Sequence, residues 1–181
     1  MQVHSTDLDG VLLLEPKVFS DPRGFFFESF NARAFRDATG IDAVFVQDNH
    51  SRSARNVLRG IHYQVVRPQG KLVRVVSGRV LDVAIDLRRS SKQFRRWVGV
   101  ELSADNRRQL WIPTGFGHAF LALGDSAEVL YKTTDYWYGE HDRSILWSDP
   151  SIGITWPLQG LPAVSDKDAC APLLEGAELF D

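Results

Sequence analysis

NVLRGIHYQVV, Asn56 to Val66, sets a histidine inside a run that otherwise reads as a β-strand. Val, Ile and Tyr suit a pleated, half-buried surface, and no helical period runs through the stretch. Side chains alternate between the two faces of a strand. His62 therefore shares a face with Leu58, Gly60 and Gln64, and Arg59 falls on the opposite face. Gly60 removes side-chain bulk beside His62, leaving room for a ligand or a neighbouring backbone.

Similar runs lie on both sides. VLLLEPKVF, GFFFESF, AVFVQDN, KLVRVVS, RVLDVAIDL, RRWVGVEL, QLWIP, HAFLAL and AEVLYKTTD are rich in Val, Leu, Phe, Trp or Tyr, and turn residues separate them. SGR, at Gly78, reads as a hairpin turn between two of them. In RVLDVAIDL, Leu81, Val83, Ile85 and Leu87 share one face, and Asp82 and Asp86 the other. In VFVQDN, Phe45, Gln47 and Asn49 share a face. Helical pattern is scarce: NARAFRDATG, closing on Gly40, is the best case, with a weaker one near the C-terminus. Many short strands with few helices predict an all-β fold, a sandwich or jelly-roll barrel, spanning residues 1–181 as one domain.

The totals agree with such a fold. The chain has 181 residues, 44% of them hydrophobic, and a net charge of −2. That balance suggests neither nucleic acid nor an anionic membrane as partner. One cysteine, Cys170, excludes an intramolecular disulfide and fits a reducing compartment. The N-terminus lacks the basic flank and apolar core of a signal peptide, and no apolar run approaches a membrane span. A cytoplasmic protein is expected.

A strand histidine is most often a hydrogen-bonded core or edge residue. Two chemical readings compete with that one. Metal-binding jelly rolls of the cupin superfamily use an HxH pair, a nearby Glu and a later His in PxGxxH. PTGFGH, with Pro113, Gly115 and His118, resembles the second part. Gln64 stands where the second His belongs, and VVRPQG supplies no Glu, so the metal set is broken. The barrel is supported, and neither metal nor cofactor is expected. His62 remains as an acid–base group, which needs a carboxylate to orient it, a cation to hold developing charge and an acid on the far side.

DPRGFFFESF, FVQDNHS, VLRGIHYQ, QGKLVRV, QLWIPTGFGHAF, EVLYKTTDYW and SDKDA, in that order and spacing, resemble the dTDP-4-dehydrorhamnose 3,5-epimerases. The resemblance runs from about Leu13 to Leu174. It implies a metal-free cupin-type homodimer that inverts C3 and C5 of a 4-keto-6-deoxy sugar on dTDP. It also implies the roles. His62 is the base and Asp168 its dyad partner, Tyr131 is the acid, and Lys71 stabilises the enolate. His118 lies near the sugar. Arg23 and Arg59 meet the diphosphate or sugar, Trp137 stacks on thymine, and Glu28, Gln47, Asp48, Asn49, Asp142 and Lys167 make polar contacts. Related readings are a 3- or 5-epimerase or a 3,4-ketoisomerase. A reading of another class is a non-catalytic sugar-nucleotide-binding cupin.

Overall fold

Asn31 begins the one sizeable helix. Its Oδ1 accepts from the Ala34 N–H at 3.0 Å, satisfying a backbone donor that the first turn would leave free. At the other end Gly40 takes φ +73°, and its N–H reaches the Arg36 carbonyl. Helix α1 thus covers Ala32–Thr39, as its sequence signals predict. Its buried Phe35 packs edge-on against Phe45 and Trp111, which pins the helix to the outside of a sheet.

The computed structural model describes residues 1–181. Ahead of α1 lie β1 (Gln2–Ser5), β2 (Leu12–Glu15), β3 (Phe19–Asp21) and β4 (Gly24–Phe26). After it come β5 (Gln47–Ala54), β6 (Leu58–Gln64), β7 (Lys71–Ser77), β8 (Arg79–Asp86) and β9 (Trp97–Ser103). Then follow β10 (Gln109–Ile112), β11 (Phe116–Ala122), β12 (Ser126–Thr133), β13 (Asp142–Ser144) and the short helix α2 (Asp166–Ala169). One sheet runs β1-β2-β10-β7-β12-β5 and a second β13-β6-β11-β8-β9, while β3 and β4 form a separate ribbon. All ladders within these sheets are antiparallel, as a jelly roll requires.

The inner faces of the two sheets meet in a core that includes Val73, Val75, Val80, Ala84, Leu110, Phe120 and Val129. The other face of β8, with Val83 and Ile85, is also buried, under Ile145, Ile152, Leu174 and Ala177 of the C-terminal stretch. The even positions of β8 therefore point inward, and Asp82 and Asp86 are fully buried.

Three expectations need correction. SGR is not a hairpin: β7 and β8 belong to different sheets, and Gly78 turns the chain from one to the other. At φ +69° it sits where a Cβ would come within 2.0 Å of the Ser126 carbonyl oxygen. The face shared by Phe45 with Gln47 and Asn49 fails, because β5 starts only at Gln47 and Phe45 joins the aromatic cluster under α1. Finally, β5 itself is mostly polar, QDNHSRSA, so its apolar lead-in AVF marked the wrong residues.

Candidate active site

At one end of the barrel a cavity of about 250 Å³ opens between the two sheets. His62 of β6 and His118 of β11 line it from one sheet, and Lys71 of β7 and Tyr131 of β12 from the other. Gln47 and Asn49 of β5, Arg59, Trp137 and Asp142 complete the predicted residues around it.

His62 Nε2 lies 2.5 Å from Asp168 Oδ1. Asp168 is 2% exposed, carried on α2, whose first turn is capped by Ser165. Its other oxygen accepts from the Gly60 N–H at 3.3 Å. Burial pushes this carboxyl up. The hydrogen bond and charge of His62, with Gly60 and Ser165, outweigh burial and hold it below the usual carboxylate range. An ionised Asp168 fixes the Nε2 proton of His62 and leaves Nδ1 as the free ring nitrogen. Gly60 owes its lack of side chain to backbone, since a Cβ there would lie 2.7 Å from Ala119 Cα and from the His118 carbonyl oxygen.

Strand alternation separates Arg59 from His62, and the structure overturns that. In the ladder between β6 and β11, His62 faces His118 but Arg59 faces Phe120. Three steps along β6 match two along β11, so an extra residue at Gly60–Ile61 makes a bulge. The bulge brings Arg59 round to the side of His62, within one chain. Its Nε donates to Ser53 Oγ at 3.0 Å and its Nη2 to the Arg52 carbonyl at 3.2 Å. Neither partner is a carboxylate and it joins no ion pair, so its charge is available to a ligand.

Lys71, whose sequence position suggests a solvated strand end, is 8% exposed. Its Nζ donates to the His62 carbonyl at 3.3 Å. Burial lowers its pKa to about 8, against the opposing pull of Asp142 and Asp82. Tyr131 shifts the other way: burial raises its hydroxyl, although the Arg59 charge opposes this. It is therefore a protonated phenol at neutral pH. The Tyr131 ring meets the His118 ring edge-on, with centroids 6.3 Å apart.

His118 is paired too. Its Nε2 lies 2.7 Å from Oδ1 of the fully buried Asp82, whose Oδ2 has no partner. Asp82 is a residue that sequence reasoning missed, although an aspartate inside the apolar LDVAIDL was its signal. Ser51 was missed as well, and the two-residue step from Gln47 through Asn49 points straight to it.

Four predicted residues stand elsewhere. Lys167 does not line the cavity but pairs with Asp142, which does, its Nζ 2.5 Å from Asp142 Oδ2. Asp48 points out of the barrel and pairs with Lys132 at 2.9 Å, because it alternates away from Gln47 and Asn49. Glu28 is exposed and accepts from Asn31 Nδ2. Arg23 sits on the β3–β4 ribbon, paired with Asp21 at 2.6 Å. Within one chain neither Arg23 nor Glu28 lines the cavity. No group of three or more His, Cys, Asp or Glu side chains is placed to hold a metal ion.

The two antiparallel sheets around this cavity define the class, a jelly-roll barrel of the cupin type, and the relatives it matches are isomerases. A family model described as dTDP-4-dehydrorhamnose 3,5-epimerase matches residues 5–176, and the chain belongs to that family. It is 58% identical over 170 residues to the dTDP-4-dehydrorhamnose 3,5-epimerase of Pseudomonas aeruginosa, covering 94% of each chain. A dTDP-6-deoxy-D-glucose-3,5-epimerase from Legionella pneumophila, solved with dTDP-4-keto-L-rhamnose, superposes with a TM-score of 0.96 at 47% identity. That match covers 99% of this chain and 97% of the other. A 3'-monoepimerase from Streptomyces bikiniensis, solved with dTDP-quinovose, has a TM-score of 0.89 at 37% identity, covering 95% and 87%. No helix is long and apolar enough to cross a membrane.

Proposed function

We propose that this chain inverts C3 and C5 of dTDP-4-dehydro-6-deoxy-D-glucose, giving dTDP-4-dehydro-L-rhamnose on the route to dTDP-L-rhamnose. One observation carries the reading. A carboxylate-paired imidazole and a half-buried, protonated tyrosine reach the same cavity from opposite sheets, with a buried lysine beside them.

The chemistry follows from that placement. The 4-keto group makes the hydrogens on C3 and C5 acidic. His62 takes the C5 proton, and the electron pair of that C–H bond moves into an enolate whose charge settles on the C4 oxygen. Asp168 stabilises the imidazolium that forms. Lys71, charged below about pH 8, lies on the side of the enolate oxygen and lowers its energy. Tyr131 then delivers its hydroxyl proton to C5 from the opposite face, which inverts the centre. The same sequence at C3, after Tyr131 and His62 exchange protons with solvent, completes the double epimerisation. Arg59 offers its free charge to the diphosphate, and guanidinium suits such oxygens through paired donors. Trp137, 60% exposed at the cavity wall, offers a face for the thymine.

The protein acts as a homodimer in this reading. The β3–β4 ribbon carries Arg23 away from its own cavity and leaves Phe19, Phe25 and Phe26 more than half exposed. A second copy seated against this ribbon covers those rings and lets Arg23 and Glu28 reach the copy's cavity. The similarity to a 3'-monoepimerase supports a second reading, inversion at C3 alone.

One experiment separates these readings: the substrate is incubated in D2O and followed by NMR. The double epimerase incorporates deuterium at both C3 and C5 with inversion at both. His62→Ala abolishes exchange and inversion together, since loss of a general base costs roughly 10²–10⁴-fold. Tyr131→Phe still forms the enolate, so deuterium enters C5 from the His62 side and configuration is retained. Inversion of both centres at the normal rate by Tyr131→Phe rules out Tyr131 as the acid. Exchange confined to C3 in the wild type establishes the monoepimerase.

A further inference from the structure

Between the end of β12 and the short 3-10 turn at Gly139–His141 the backbone of Asp135 to Tyr138 belongs to no strand or helix. It nevertheless leaves few polar groups free, because side chains of three glutamines take the place of a neighbouring strand. The Trp137 N–H donates to Gln47 Oε1 at 3.0 Å. The Tyr138 N–H donates to Gln64 Oε1 at 2.8 Å, and Gln64 Nε2 donates in turn to the Tyr136 carbonyl at 3.1 Å and to that of Arg67. Gln69 Nε2 reaches the Asp135 carbonyl at 2.8 Å. Asn49 Oδ1 accepts from Gln47 Nε2 at 2.9 Å, which turns the Gln47 oxygen toward Trp137.

Gln64 is the centre of this arrangement. It is 3% exposed, and its amide bonds three backbone groups from two loops. An amide can do this because it offers two N–H donors and a carbonyl acceptor side by side, a set that neither a histidine, with one donor and one acceptor when neutral, nor an acceptor-only carboxylate supplies. The segment so held carries Trp137, whose ring lines the cavity while 60% of the residue stays exposed. Few apolar contacts anchor an indole that exposed, so its orientation depends on the backbone beneath it.

The geometry points to Gln64 as a positioning residue that, with Gln47, holds the Asp135–Tyr138 backbone and presents the Trp137 ring to the base of a nucleotide ligand. It sets affinity through Trp137 and takes no part in proton transfer. The inference rests on the nucleotide-sugar reading above. Gln47, a predicted ligand contact, then acts inward on the protein, and Asn49 keeps its own N–H groups for the ligand.

Gln64→Met tests this, since it keeps the side chain's length and removes all three hydrogen bonds. The probe is dTDP, titrated by calorimetry, alongside steady-state turnover and amide hydrogen exchange of the ligand-free protein. The expected result is a dTDP Kd weakened about five- to a hundredfold, the range for loss of one aromatic stacked on a base. KM rises with it, and kcat at saturation stays within about threefold, as for loss of uniform binding. The Trp137 and Tyr138 amides lose exchange protection while those of β6 and β11 keep theirs. In a Trp137→Ala background the same Gln64→Met step costs less than about twofold, because both changes remove one interaction. Unchanged Kd, additive losses in the double variant, or kcat falling at constant KM overturns the inference. A wild type that binds no dTDP sinks the nucleotide reading and the affinity claim with it, while unaltered exchange at Trp137 and Tyr138 separately overturns the positioning claim.

Discussion

Replacing Lys71 by Met should make the protein more stable and inactive at once. Lys71 is 8% exposed, and its single protein hydrogen bond is a 3.3 Å contact to the His62 carbonyl. Burial lowers its pKa from 10.5 to about 8, even with Asp142 and Asp82 pulling it upward. At about 1.4 kcal/mol per factor of ten, that difference means the charged form costs the folded state about 3 kcal/mol. The sign follows from proton counting. Between pH 8 and 10.5 the unfolded chain binds the lysine proton and the folded chain does not, so this group makes stability rise with pH. Below about pH 8 both states bind it and the whole cost stands. Lys71→Met removes the cost, so the variant gains about 3 kcal/mol at pH 7, and the gain vanishes toward pH 10.5. Urea unfolding of both proteins, at one protein concentration and a series of pH values, measures this. The comparison with wild type cancels Tyr63 and Tyr131, whose raised pKa values act in the same alkaline range. Turnover by the variant should be lost, because the enolate then has no cation beside it. In the wild type kcat/KM should fall above about pH 8 as Lys71 loses its proton. A Lys71→Met protein no more stable than wild type at pH 7, or a gain independent of pH, refutes the buried charge and its proposed role.

Arg59→Ala should weaken dTDP and substrate binding about ten- to a hundredfold, the value of a charged hydrogen bond at roughly 1.5–3 kcal/mol. Calorimetric titration checks it, and wild-type affinity for both ligands would remove Arg59 from the site. Gly78→Ala should destabilise the fold by more than the roughly 1 kcal/mol of an ordinary glycine replacement, because the new Cβ meets the Ser126 carbonyl oxygen at 2.0 Å as well as a left-handed φ. Chemical denaturation reads the loss, and a change within about 0.5 kcal/mol of zero contradicts the close approach.

Much of the architecture can be read from local pattern. KLVRVVS declares a strand by its β-branched content and RVLDVAIDL by period-two alternation, and both are properties of neighbouring residues. The α1 boundaries are legible in Asn31 and Gly40 because capping is equally local. The motifs around His62, Lys71, His118, Tyr131 and Trp137 carry the family, and those side chains do line one cavity. Polar β5, short β13 and N-terminal β1 lacked the signal, since their strand character comes from pairing partners rather than from composition.

Tertiary structure alone decided the rest. Arg59 joins His62 because of a bulge, and a bulge is a mismatch between two strands that neither sequence displays by itself. Gly78 crosses between sheets, although its flanking runs look like any hairpin. Asp82 meets His118 across 36 residues, and the contact between His62 and Asp168, named only by resemblance, closes across 106. Arg23 and Glu28, placed by resemblance beside the ligand, are left outside their own cavity. Gln64, whose sequence position only excluded a metal, became the support of Trp137 through loops that end 72 and 74 residues away. Alternation tells which side of a strand a residue takes. What it meets there depends on register and sheet order, which the whole chain settles by burying its apolar faces and pairing its backbone groups together.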